Sequence, residues 1–173
     1  MNYADTNWLE AVYITPHPDD AEGQERERIV ERFARKHGGQ LALSHVVLLE
    51  ARNVFSRVTG ESQPREWALL EADFDGKLYV DPMNWDLLRR ECQVLFARYA
   101  WKTHLGTFDT AVVASAKLAG GTRFLSFDTR AKALASAEGL KVFPPLDAAG
   151  RRALSELKRS QVPSRIAARN SSS

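Results

Sequence analysis

Cysteine is nearly missing from the chain: Cys92 is the only one in 173 residues. That excludes a disulfide framework and a thiolate zinc cluster. Cys92 lies among Leu87, Leu88, Leu95 and Phe96 at helical spacing, so a core or half-buried thiol is expected rather than a nucleophile. Charge of one sign is also lacking. A formal net charge of +2 is too small to imply nucleic acid by itself. No apolar run approaches the roughly 20 residues of a membrane span. Met1 to Glu10 has no basic stretch, and Asp5 and Glu10 would interrupt a signal sequence, so a cytoplasmic protein is expected. There is no P-loop, no G-x-G-x-x-G and no serine nucleophile elbow, which removes the usual nucleotide-cofactor and serine-hydrolase readings.

What is present is ordinary globular material, 44% hydrophobic and 27% charged, enough for one domain. Strand patterns at Asn2–Asp5, Leu41–Leu43, Lys77–Val80, Arg123–Phe127 and Lys141–Phe143 alternate with helical ones. Helices are expected around Trp8–Tyr13, from Asp19 or Asp20 to His37, from Ser44 to Thr59, and over Arg65–Ala72. Three more are expected over Asn84–Lys102, Thr107–Ala119 and Thr129–Glu138. This alternation predicts a three-layer α/β/α domain with a central, mostly parallel sheet of about five strands. The domain is expected to span residues 1–145. Residues 146–173 read as a basic helix and a tail expected to be disordered. From Pro145 onward six basic residues (Arg151, Arg152, Lys158, Arg159, Arg165, Arg169) face only Asp147 and Glu156. That end would either touch phosphate or form a solvated helix.

Four acids fall where a parallel sheet builds a site. Asp5 and Asp128 end strands, and ligands of open α/β sheets bind beyond the carboxyl ends of strands. Glu50 has Val47 three residues before it and Val54 four after. Asp109 is followed by Val112, Val113 and Ala116, so both acids share a face with inward residues. Each also has a plain structural explanation. On that reading Asp5 and Asp128 would be helix N-caps, Asp109 a first-turn acid and Glu50 an ion-pair partner. Taken together they would repel one another unless a cation lay between them. All-oxygen ligation suits Mg²⁺ or Mn²⁺.

Around these acids the chain resembles the PIN-domain nucleases. Asn2-Tyr3-Ala4-Asp5-Thr6-Asn7 resembles their opening strand-end motif, and Leu43-Ser44-His45 through Leu49-Glu50 their second. Thr107-Phe108-Asp109-Thr110-Ala111 with Ala114-Ser115-Ala116 is similar to the third, and Phe124-Leu125-Ser126-Phe127-Asp128-Thr129-Arg130 to the fourth. Gly139-Leu140-Lys141-Val142 matches the usual close, so the likeness runs over about residues 1–145. It departs at Thr110, at Val112-Val113 and in the long C-terminal tail.

The resemblance implies an Mg²⁺ or Mn²⁺ site and endoribonuclease activity, as in the VapC-like toxins of type II toxin–antitoxin pairs. Asp5 and Asp109 would be the main metal ligands, with Glu50 and Asp128 completing the cluster directly or through water. Thr6, Asn7 and Ser126 would orient the carboxylates. RNA is the implied substrate, and a small antitoxin and a second copy of the chain are the implied partners. The large apolar residues of 84–102, among them Trp85, Leu88, Leu95 and Phe96, would form that contact. A catalytically silent PIN-type binding module is the alternative.

A second resemblance competes. Pro16-His17-Pro18-Asp19-Asp20-Ala21-Glu22 is similar to the zinc motif of LmbE-like N-deacetylases. Those enzymes need a further histidine and a Gly-rich stretch, whereas Gln24-Glu25-Arg26-Glu27 follows here and His37, His45 and His104 are isolated. A loop and helix cap is the expected reading. Haloacid-dehalogenase-type phosphatases want an acid where Asn7 stands. Trp8, Trp67, Trp85 and Trp101 fall on helices, where core or partner contact is expected. Arg52, Arg57, Lys102 and Arg130 are candidates for an RNA groove or for plain solvation.

Overall fold

A computed structural model describes residues 1–100 and 103–160. Trp101, Lys102 and the expected tail, with Arg165 and Arg169, lie outside the described residues.

Five short strands, β1 (Asn2–Ala4), β2 (Leu41–Ser44), β3 (Leu78–Asp81), β4 (Arg123–Leu125) and β5 (Lys141–Phe143), form one sheet in the order β3-β2-β1-β4-β5. Every pairing is parallel, with Tyr3 opposite both Ala42 and Phe124. The helices are α1 (Thr6–Tyr13), α2 (Ala21–His37), α3 (His45–Thr59), α4 (Arg65–Ala72), α5 (Trp85–Leu95), α6 (Thr107–Leu118), α7 (Thr129–Ala137) and α8 (Ala148–Ser160). α1 packs with α2, α3 and α4, while α5, α6, α7 and α8 follow one another as neighbours. The result is the expected three-layer α/β/α domain. Buried strands on both faces read as continuous apolar runs, and all four residues of β2 are buried. Among the described residues no helix is long and apolar enough to cross a membrane.

The core is organised around Trp8, which stacks on Phe127 at 5.2 Å and meets Phe33 edge-on at 5.4 Å. Phe127 directly precedes Asp128, so this aromatic packing fixes the strand-to-helix corner of the site. Chain order reverses on either side of β1, and the crevice beyond its carboxyl end is where such a sheet receives a ligand.

Two boundaries that shape the site differ from the sequence pattern. The helix expected over Asn84–Lys102 stops at Leu95 and continues as a π turn, Phe96–Ala100, where Arg98 and Tyr99 both reach Glu138. Leu88 and Leu95 are core residues and not part of an outer face, whereas Trp85, Leu87 and Val94 are exposed. β4 ends at Leu125 because Asn7 Oδ1 takes the Phe127 N–H at 2.8 Å and draws the chain out of the sheet. Cys92 is half-buried, and burial pushes its thiol up.

Candidate active site

Asp5 follows the central strand. Its N–H still donates to Leu125 O, while its side chain caps α1 by accepting from Thr6 N at 2.8 Å. The other carboxylate oxygen accepts from Ser126 Oγ at 2.7 Å and Asn7 Nδ2 at 3.1 Å. Ser126 Oγ in turn accepts from the Asp128 N–H at 2.9 Å. One buried hydroxyl therefore ties the end of β1 to the end of β4. Thr6 Oγ1 donates to Glu50 Oε2 at 2.5 Å and ties α1 to α3. Ser44, capping α3 through Val47 N, sets the start of the helix that carries Glu50.

Asp128 Oδ1 accepts from Arg130 N and Ala131 N, both at 2.7 Å, so the N-cap reading of this residue is part of its geometry. Asp109 sits in the first turn of α6 and is half-buried. Among the described residues nothing donates a hydrogen bond to its carboxylate, unlike those of Asp5, Glu50 and Asp128.

The acids feel one another. Asp5 is only 6% exposed, and burial first, then the charges of Glu50 and Asp109, push its carboxyl up to about 6 against the hydrogen bonds from Ser126 and Thr6. Asp109 is raised by burial, by Asp128 and by Glu50, and lowered by Arg130. Four carboxylates from four elements thus share one field at the carboxyl edge of the sheet.

The carboxylates do not converge on a single point. Among the described residues no three His, Cys, Asp or Glu side chains close round one point as a metal-ion site. Like charges repel, and Asp128 and Glu50 are each held aside by local hydrogen bonds. In kind, however, the donors fit a hard divalent cation, because every one is an oxygen.

Gly106, which the sequence pattern left unmarked, belongs to this site. It caps α6 with φ −65° and ψ 134°, a conformation open to any residue. A Cβ here would run into Asp109 Oδ2. Gly106→Ala is expected to leave the melting temperature within about 2 °C, because only a side-chain end must move. The displaced carboxylate should lower metal affinity or activity by about 10-fold to 100-fold. Wild-type metal affinity in calorimetry would remove Gly106 from the site.

Other sequence candidates lie elsewhere. His17 and Asp19 are exposed, and Asp20 caps α2 through Gly23 N at 2.9 Å, so this motif is the expected loop and cap. Arg52 bonds to Ser56 Oγ and to Ser62 O at 2.6 Å and lies over the Trp67 ring. Arg57 and Arg130 are exposed.

No curated protein matches the chain closely enough to be called a relative. Among solved structures it is similar to VapC20 of Mycobacterium tuberculosis, a sarcin-ricin-loop-cleaving toxin. That likeness has 18% identity, a TM-score of 0.60, and covers 81% of this chain and 96% of the other. It is also similar to a toxin–antitoxin complex from Klebsiella pneumoniae, at 16% identity, covering 76% and 90%, with a TM-score of 0.53. VapBC2 of Rickettsia felis bound to a promoter DNA fragment matches at 14% identity, covering 82% and 97%, with a TM-score of 0.54. At these identities the likeness is one of fold. The family model for the PIN domain matches residues 3–137, a span that takes in Asp5, Glu50, Asp109 and Asp128. The chain belongs to the PIN domain family.

Proposed function

We propose that the protein is an Mg²⁺- or Mn²⁺-dependent endoribonuclease and the toxin of a type II toxin–antitoxin pair. The observation that carries this reading is the convergence of Asp5, Glu50, Asp109 and Asp128 at the carboxyl edge of the sheet, where burial and the neighbouring acids push the carboxyls of Asp5 and Asp109 up. The family, and fold neighbours that include an RNA-loop-cleaving toxin and a toxin–antitoxin complex, support it.

Asp5 and Asp109 would be the main ligands, with Glu50 and Asp128 completing the set. When bound, a divalent ion supplies a water of lowered pKa and positive charge for the phosphoryl oxygens. The protein's own part is positioning. Ser126 and Asn7 fix one oxygen of Asp5, Thr6 orients Glu50, and Asp109 keeps a carboxylate that no described donor occupies. No pair of histidines is placed for metal-independent acid–base cleavage: His17, His37, His45 and His104 are all exposed and scattered.

The test is cleavage of single-stranded and loop RNA by purified protein with Mg²⁺ or Mn²⁺, and with excess EDTA. Cleavage only with the metal is expected. Undiminished cleavage in EDTA would overturn the reading, and a protein that binds RNA but never cuts it would be the silent binding module.

The partners of this reading are a small antitoxin and a second copy of the chain. Trp85, Leu87, Val94 and Leu118 are exposed on α5 and α6, and Trp85 is 62% accessible. Light scattering at micromolar concentration should give a dimer mass that falls to the monomer in Trp85→Glu. A monomer mass for the wild type would count against self-association.

A further inference from the structure

Beside the acids runs a groove of about 530 Å³, walled by Thr103 and His104 ahead of α6, Arg130 on α7, and Glu156, Arg159 and Ser160 on α8. Arg130 links it to the acidic site. Arg130 is two residues past Asp128, its N–H donates to the Asp128 carboxylate, and its charge lowers Asp109. The far wall, α8, lies beyond residues 3–137, the span of the family match. α8 turns Gly150, Leu157 and Ser160 inward against α7. Its outer side carries Arg151, Arg152, Glu156 and Arg159 along a second hollow of about 350 Å³ that continues the groove. Positions 152, 156 and 159 succeed one another by helical turns, so this is one continuous stripe.

Two features set the stripe apart from an ordinary solvated face. On α2, three of the four arginines, Arg26, Arg28 and Arg32, lie on carboxylates of Glu22 or Glu25. Among the described residues, by contrast, no carboxylate comes within ion-pairing distance of Arg130, Arg151, Arg152 or Arg159. Arg151 and Arg159 bond to the carbonyls of Leu146 and Ser155, which steadies their stems without neutralising the charge. The second feature is position. Four carboxylates repel an incoming phosphodiester, so a strand approaching them gains most from cations placed just outside. Guanidinium forks match phosphate oxygens in pairs.

We infer that this groove and the outer face of α8 are a backbone track for single-stranded RNA, with Arg130 and Arg159 contacting successive phosphates on the way to the acids. The inference rests on the ribonuclease reading above and adds to it the element that holds the substrate.

Binding of a short fluorescein-labelled single-stranded RNA to the full chain, measured in EDTA so that no cleavage intervenes, tests it. Arg130→Gln combined with Arg159→Gln should bind about 10-fold more weakly than wild type. Its slope of log affinity against log salt should be shallower by about 1.4, from about 0.7 for each of two phosphates. Arg35→Gln, on the exposed far end of α2, should match wild type, and circular dichroism should show all three folded. Equal affinity and slope in the double variant would overturn the track. So would an equal loss in Arg35→Gln, a wild type that does not bind RNA, or one that binds poly-glutamate at these residues in preference to RNA. Cleavage, assayed separately, keeps the two readings apart. A wild type that binds with this slope yet cuts nothing leaves the track standing and removes the ribonuclease. A wild type that cuts, beside a double variant that binds normally, does the reverse.

Discussion

Asp5→Asn should abolish metal-dependent RNA cleavage, by about a thousandfold or more, and should make the metal-free protein more stable at neutral pH. The first effect is charge. A thousandfold is about 4 kcal/mol of transition-state stabilisation, the scale of one lost electrostatic contact at a reacting centre. The second follows from the burial of Asp5, whose carboxyl is pushed from 3.8 to about 6. The folded state then holds a proton that the unfolded chain releases, so stability falls as pH rises through the window from about 4 to about 6. At pH 7 this costs roughly 3 kcal/mol, at about 1.4 kcal/mol for each pKa unit. Asn relieves that cost and keeps the cap on Thr6 N, but it loses an acceptor for Ser126 or Asn7, a loss of about 1 to 1.5 kcal/mol. The net gain is about 1.5 kcal/mol, or roughly 3 to 6 °C in a domain of this size. It should shrink as pH falls from 7 to 4, because wild-type Asp5 is then neutral too. Thermal melts in EDTA read the stability arm, and a gel assay with metal reads the activity arm. A variant that melts several degrees lower at pH 7 would make Asp5 a structural cap. Cleavage surviving in folded Asp5→Asn would remove it from the chemistry.

The four acids were legible because each stands at a place with a local signature: Asp5 and Asp128 at strand ends, Glu50 between Val47 and Val54, Asp109 ahead of Val112 and Val113. These signatures also fixed the elements, since strand and helix periods are local properties of the chain. What was not legible depends on contacts between distant segments. The end of β4 is set by Asn7, about 120 residues away in sequence, whose amide takes the Phe127 N–H. Ser126 reads locally as one more strand residue, and only the family resemblance marked it as orienting the carboxylates; its hydroxyl joins Asp5 to Asp128. Gly106 carries no conformational mark, because its φ and ψ suit any side chain. Its reason is the Asp109 carboxylate folded over it. The apolar pattern of 84–102 is that of one long helix, and nothing in it announces that Tyr99 turns into the core to meet Glu138. How near the acids approach was beyond the pattern altogether, because that distance is a balance of repulsion and local hydrogen bonds.

Glu138→Ala should lower stability by about 3 kcal/mol, which is a fall of about 6 to 12 °C in melting temperature. It should also reduce cleavage although Glu138 is remote from the acids. Its side chain is 2% exposed and accepts from Arg98 and Lys117 at 2.5 Å each and from Tyr99 Oη at 2.6 Å. Lys117 reaches on to Glu91, so one carboxylate joins α5, the π turn, α6 and α7. Removing it takes the carboxylate from Arg98, leaves Lys117 with Glu91 alone, and takes an acceptor from Tyr99 Oη. The loss sits at the low end for a buried pair because Arg98 and Lys117 keep some contact with water. The link to the site is geometric. α6 presents Asp109 near its start and Lys117 at its end, about 12 Å apart, while α7 is capped by Asp128 and closes on Glu138, about 15 Å away. Pinning the far ends of the two helices therefore sets the angle at which they present their acids. Burial pushes the Glu138 carboxyl up, but hydrogen bonds from Lys117, Tyr99 and Arg98 outweigh it and hold the group below its ordinary value. Its contribution is thus complete at neutral pH and is lost only as pH falls below the usual glutamate range of about 4.3. Glu138→Gln, which keeps the shape, should be destabilised at pH 7 by less than Glu138→Ala and should converge on wild type below about pH 4. That lies in a lower window than the Asp5 effect. Melting within a degree of wild type at pH 7 would mean that these ion pairs only break even with solvation. The angle between α6 and α7 would then be set by apolar packing alone.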